Sequence, residues 1–224
     1  MTSNERLAAF RDTLPVMAGY LVLGMGFGIM MNANGLSAWH SLAMSVFIYA
    51  GSMQYAAIGL LVGGASMLTV ALTTLAVNAR HLFYGLSMME RYKNAGPFKP
   101  YLIFALTDET YSLVCAGERS RSYYLAVSLL DQLYWVLGTL AGALIGRAIR
   151  VSTEGIDFAL TALFITVFVD GWLKQKDHFP ALAGVAGSLA CLLIFGRDAF
   201  LIPSMLTIAA LLLGVMRRRN DHER

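Results

Sequence analysis

The chain has 224 residues, 57% of them hydrophobic and only 14% charged, with a formal net charge of +3. A soluble domain needs roughly 25% charged residues to cover its surface, so lipid must solvate much of this chain. That excludes a soluble fold presenting basic groups to nucleic acid, and Arg217, Arg218 and Arg219, which directly follow an apolar run, read as a cytoplasmic helix flank.

A membrane-crossing helix needs about 20 apolar residues, within roughly 17–25. In chain order the candidate segments are 14–31, 38–62, 66–89, 98–117, 123–147, 156–173, 180–195 and 199–216. Arg6 and Arg11 precede the first, but it exceeds the usual signal-peptide core of about 7–15 residues and no small-x-small cleavage site follows. It reads as a retained span. The seventh segment is short and starts at Pro180, and the eighth carries Pro203 near its start, where a first helical turn accepts proline. The expected fold is an all-α integral membrane protein, a polytopic bundle of seven or eight transmembrane segments, some of them broken or re-entrant.

The intervening stretches are short and turn-like: Asn32-Ala33-Asn34-Gly35, Gly63-Gly64 and Asn94-Ala95-Gly96-Pro97. The chain therefore reads as a single transmembrane domain, 1–224, with a short N-terminal segment 1–12 and a basic tail 217–224. Eight crossings would place Arg6, Arg11, Arg119, Arg121, Lys174, Lys176 and the four arginines of the tail on one side, ten in all. The other side would hold Arg91, Lys93, Lys99, Arg147, Arg150 and Arg197, which puts both termini in the cytoplasm. Glycines repeat at four-residue spacing: Gly24/Gly28, Gly59/Gly63 and Gly138/Gly142/Gly146. Each set makes a smooth helix stripe that a second backbone can approach.

Cys115 and Cys191 sit in apolar runs with no CxxC or His-rich pairing, so neither a disulfide framework nor a metal site is expected. No GxxxxGK[ST] loop occurs, and no cofactor is implied.

The informative residues are polar ones inside apolar runs, where an ionisable group costs roughly 2.5–3.5 kcal/mol unless it pairs or faces water. In the second segment, Tyr49-Ala50-Gly51-Ser52-Met53-Gln54-Tyr55-Ala56 reads two ways. Gly51 and Ser52 loosen the helix and expose backbone for a substrate, or Gly51 packs while Gln54 makes an interhelical hydrogen bond. In the third, Asn78 and His81 share a face with Gly85, and Arg80 points elsewhere beside Ala76 and Tyr84. Arg80 snorkels to the interface, forms a buried ion pair, or meets a substrate carboxylate; His81 is a helix–helix donor or a proton relay. In the fourth, Thr107-Asp108-Glu109-Thr110-Tyr111 splits the run. Either one helix carries both acids at mid-depth, or Thr107 caps a half-helix with Asp108 and Glu109 in its first turn, or 98–107 is an interfacial loop with solvated acids. Asp131 in the fifth segment needs a partner if buried, and Arg80 is the candidate for which Asp108 competes. His40 and Asp170 lie near segment ends and read as interfacial.

These residues resemble the large subunit of the AzlC/YgaZ family of bacterial branched-chain amino acid exporters. The resemblance rests on 49–56, on Asn78-Ala-Arg-His-Leu-Phe-Tyr-Gly85 and on 107–111, with Trp135, Gly138, Gly142 and Asp157-Phe-Ala-Leu-Thr-Ala-Leu-Phe164 in support. It implies export of leucine, isoleucine, valine and methionine, a small AzlD/YgaH-type membrane partner, and energy from an ion gradient. On that expectation the substrate-binding or proton-pathway residues are Gly51, Ser52, Gln54, Asn78, Arg80, His81, Asp108, Glu109 and Asp131. The rival expectations are a non-transporting structural subunit and an intramembrane enzyme; no GxGD, GxSxG or HExxH occurs to favour the latter, and no catalytic residue is expected.

Overall fold

The computed structural model describes residues 3–148, 165, 168–169, 172–173, 177–196 and 200–222. The chain divides into two compact units, Met1–Ala159 and Leu160–Arg224. Among the described residues every regular element is helical. The first unit contains α1 (Ser3–Ala33), α2 (Ala38–Phe47), α3 (Gly51–Val62), α4 (Met67–Met88), a 3-10 turn (Lys93–Phe98), α5 (Lys99–Phe104), α6 (Asp108–Val114) and α7 (Arg121–Ala148). The second contains α8 (Phe179–Phe195) and α9 (Leu201–His222).

Helices α1 and α7 form the frame of the first unit, and among the described residues they alone are long and apolar enough to cross a membrane unaided. They run parallel, because Gly138 meets Leu21, Gly142 meets Met25 and Gly146 meets Ile29 in matching order. A Cβ at Gly24 would stand 2.9 Å from the backbone of Trp135 and Thr139. The stripes expected on the first and fifth segments therefore close a backbone-to-backbone seam. Gly59 has nothing near it, so the stripe on α3 faces open space.

The segment 38–62 is not one helix. It breaks at Ile48–Ala50, where Tyr49 takes a left-handed φ of +45°, a costly conformation for a residue with a Cβ. Ser45 bonds Thr139 and the Val46 carbonyl accepts from Gln132, so α2 descends antiparallel to α7. Beyond the break Gly51 lies under the Trp135 ring, and the Tyr55 hydroxyl then reaches Leu23 O at 2.6 Å. Helix α3 thus returns toward the end from which α2 came. Gln54 Nε2 crosses the bend to Ser45 Oγ at 3.1 Å.

The segment 98–117 turns back in the same way from the opposite end. The Arg121 guanidinium covers the Phe98 ring at the entry of α5, and Tyr101 bonds Gln132 deeper in. After the break at Ala105–Thr107, α6 leads back until Arg91 Nη1 donates to Val114 O and Gly117 O at 3.0 and 3.2 Å. Neither segment is a single helix. Their halves have 10, 12, 6 and 7 residues, short of the roughly 20 that a crossing requires. Summed apolar length met that requirement, but hydropathy carries no information about reversal of direction.

A consequence is that Arg91, Lys93 and Lys99 share an end with Arg6, Arg11, Arg119 and Arg121 instead of opposing them. Arg11 and Arg119 line one cavity there, and Arg91, Arg119 and Arg121 line another. The same end is held by an apolar cluster of Ala9, Met88, Tyr92, Leu102, Leu106, Val114, Tyr124 and Val127. In the second unit, Gly187 lets Ile208 of α9 pack against α8. The segment expected at 156–173, with Asp170, lies almost wholly outside the described residues.

Candidate functional site

The two hairpin tips meet halfway along the frame. Tyr49 from the first and Phe104 from the second have ring centroids 6.2 Å apart. Helix α6 starts here because Thr107, extended at φ −87° and ψ 176°, accepts the Thr110 N–H on its side-chain oxygen. Of the three readings of 107–111, the capped half-helix is the one realised. Ala50 precedes α3 without a side-chain cap.

Arg80 enters from the middle of α4. Its Nη1 lies 2.6 Å from Asp108 Oδ2, and its Nη2 donates to Ser52 Oγ at 3.2 Å. One guanidinium thereby ties the start of α3 to the start of α6. The pair is roughly one-third exposed, so its Coulomb attraction is partly screened. Arg80 Nε and Asp108 Oδ1 are nevertheless buried without a hydrogen-bond partner. The Arg80 partner left open between Asp108 and Asp131 is Asp108.

Glu109 faces α1, where the Tyr20 hydroxyl donates to its Oε2 at 2.7 Å. Tyr20 also touches Thr107 Oγ1 at 2.5 Å, and Thr107 bonds Thr110 Oγ1 at 3.0 Å. Thr110 in turn donates to Asp131 Oδ2 at 2.7 Å. Asp131 is fully buried, and its Oδ1 has no partner. The expected cationic neighbour of Asp131 is therefore replaced by a threonine hydroxyl.

The remaining candidates divide. Gly51 lets the Trp135 ring approach to 3.0 Å from where a Cβ would be. Gln54 does not join the ion pair: it accepts from Trp135 Nε1 at 3.0 Å and donates to Ser45, itself bonded to Thr139. The helix is not loosened at Gly51 and Ser52, which already belong to α3. The break falls just before them at Ile48–Ala50, and the packing reading of Gly51 with an interhelical amide at Gln54 is the one realised. His81 Nδ1 lies 3.3 Å from the Asn78 carbonyl, and its ring meets Tyr84, which stacks on Tyr111 at 4.4 Å. Among the described residues no group of His, Cys, Asp or Glu is gathered to hold a metal.

The family described as "AzlC protein" matches residues 15–149, which contain both hairpins and the whole of this cluster. The chain belongs to the AzlC family. The branched-chain amino acid transport protein AzlC of Bacillus subtilis is 43% identical over 210 residues, 92% of this chain and 83% of that protein. An uncharacterized membrane protein of Haemophilus influenzae is 39% identical over 90% of this chain and 85% of its own. The inner membrane protein YgaZ of Escherichia coli is 29% identical over 83% of this chain and 80% of its own. No solved structure matches.

This AzlC chain is a membrane protein, and its cluster contains residues that its apolar runs concealed. Tyr20 looks like one more aromatic in a hydrophobic helix, and only its contact with Glu109 gives it a role. Thr110 stands two residues from Asp108 within a recognised motif, yet nothing local says that it serves Asp131. Tyr49 belongs to the quoted motif, but its place at a hairpin tip follows from the reversal of the chain.

Proposed function

We propose that the chain is the large subunit of a secondary transporter that exports branched-chain and other aliphatic amino acids, including leucine, isoleucine, valine and methionine. It works in the bacterial inner membrane with a small AzlD/YgaH-type partner, and the proton gradient drives export. The observation that carries the reading is the Arg80–Asp108 pair held where two helix breaks meet. A zwitterion presents the same two charges in reverse. Its carboxylate takes the place of Asp108 on the guanidinium, and its ammonium takes the place of Arg80 on Asp108. Arg80 Nε and Asp108 Oδ1 have hydrogen-bonding capacity left for that exchange.

Ser52 and the positive dipole end of α3 add to the attraction for the carboxylate. The aliphatic side chain lies against the tip rings of Tyr49 and Phe104. One methylene is worth only about 1–3 kcal/mol in an apolar pocket, so the substrate range is broad. Non-helical backbone at membrane depth is tolerated where protein covers it, and Tyr49, Ala105, Leu106 and Thr107 at these two tips are buried.

In this topology the eight apolar segments comprise two re-entrant hairpins and six candidate crossings. Of the Lys and Arg within 3–148, seven lie at the end of the bundle that holds the start of α1, and only Arg147 lies at the other. That end is cytoplasmic, and the basic tail 217–219 takes the same side by the same rule. Cells expressing the chain with its partner release preloaded labelled leucine faster than cells without it. No release would overturn transport; release at the wild-type rate by Arg80→Ala or Asp108→Asn at equal protein level would remove the ionic site.

A further inference from the structure

Behind the ion pair, five oxygen atoms stand in line: Glu109 Oε2, Tyr20 Oη, Thr107 Oγ1, Thr110 Oγ1 and Asp131 Oδ2. Their successive separations are 2.7, 2.5, 3.0 and 2.7 Å, all within hydrogen-bond range. Four links need four hydrogens, and the three hydroxyls supply three. The Thr110 backbone N–H cannot be the fourth, because it donates separately to Thr107 Oγ1 from outside the line. For all four contacts to be hydrogen bonds at once, one of the terminal carboxyls has to carry the fourth hydrogen. Asp131 gives an independent reason: it is fully buried, one oxygen has no partner, and neither ion pair among the described residues includes it. An isolated carboxylate so placed is costly to keep ionised.

The surroundings agree with a single shared proton. Tyr49 and, on α4, His81 and Tyr84 are close enough to Glu109 to interact with it electrostatically, and the nearby Arg80 is already matched by Asp108. Asp131 faces Tyr49, Tyr101 and Tyr123, none of them cationic.

We propose that Glu109 and Asp131 share one proton through Tyr20, Thr107 and Thr110, and that this line is the proton relay of the transporter. What the relay drives rests on the export reading above. In the transfer, the Asp131 carboxyl O–H gives its proton to Thr110 Oγ1. The Thr110 proton passes to Thr107, that of Thr107 to Tyr20, and that of Tyr20 to Glu109. Four O–H bonds break and four form, only hydrogens and hydroxyl orientations change, and no other reactant is needed. The negative charge moves from half-buried Glu109 to buried Asp131, and the reverse transfer returns it.

Two measurements test the relay. Infrared difference spectra of the purified full chain in lipid nanodiscs, taken through neutral pH, report the carbonyl stretch of a protonated carboxyl. Asp131→Asn and Glu109→Gln each supply the fourth hydrogen from an amide, so both should fold and both should lose that band. A wild-type spectrum without the band, or a band that both variants retain, overturns the shared proton. In sealed vesicles, Tyr20→Phe should lower proton movement per exported leucine by about tenfold or more. The same variant should keep leucine exchange at equal pH within about twofold of wild type. Unchanged proton coupling in Tyr20→Phe overturns the relay even where export stands. Absence of leucine exchange in the wild type overturns export, and the infrared bands still decide the proton.

Discussion

Tyr49 and Phe104, at the tips of two hairpins that enter the bundle from opposite ends, bring their rings to a centroid distance of 6.2 Å. The contact joins one helix break to another. It places Ser52 and Asp108, the second residue of α3 and the first of α6, within reach of the same Arg80 guanidinium.

The reversal of 98–117 makes a topological prediction. With Cys115 and Cys191 replaced by Ser, Asn94→Cys and Glu118→Cys should both react with a membrane-impermeant thiol reagent from the cytoplasmic side. Gly35→Cys and Gly64→Cys should react from the opposite side. Labelling of positions 94 and 118 from different sides would restore a crossing there and remove the second hairpin.

Removing one member of the Arg80–Asp108 pair leaves the other with an unmatched charge, so each single variant mixes lost assembly with lost binding. Arg80→Ala should reduce leucine export by about tenfold or more, equivalent to about 1.4 kcal/mol. The double variant Arg80→Ala/Asp108→Asn removes both charges and should recover membrane protein level without recovering export. Export that returns with protein level would assign the pair to assembly alone.

The α1–α7 seam leaves no room for side chains. A Cβ at Gly142 would overlap the Met25 backbone, so Gly142→Ala should destabilise the chain by about 1–3 kcal/mol. Gly59 faces open space within a helix, and Gly59→Ala should be neutral or stabilising by up to about 1 kcal/mol. Thermal unfolding in detergent compares the two, and an equal effect at both positions would contradict the seam.

Thr107 both caps α6 and links Tyr20 to Thr110. Thr107→Ala should cost about 1 kcal/mol for the cap and more for the stranded hydroxyls, while Thr107→Ser, which keeps the oxygen, should restore most of it. The same unfolding measurement reads both.

Much of the chemistry was legible before any fold was known. Arg80, Asp108, Glu109 and Asp131 stand out because charge in an apolar run is costly wherever the run goes, and that cost is local to the residue. The Thr107 cap was readable for the same reason: cap and helix start are neighbours in the chain. Crossings were less legible. Segments 38–62 and 98–117 have the apolar content of spans, yet their halves turn back, because Tyr49 and Thr107 hold conformations that end one helix and start another.

The sequence by itself determined that the chain lives in lipid, that it is helical, and which of its residues are too polar for lipid to surround. Composition and spacing govern those properties within a few turns of helix. Only the tertiary structure decided that Arg80 takes Asp108 and leaves Asp131 to Thr110, and that Tyr20 connects the two acids at Glu109 and Asp131. Such pairings depend on which way each segment runs and how closely α1 meets α7, and those follow from packing between residues more than a hundred positions apart.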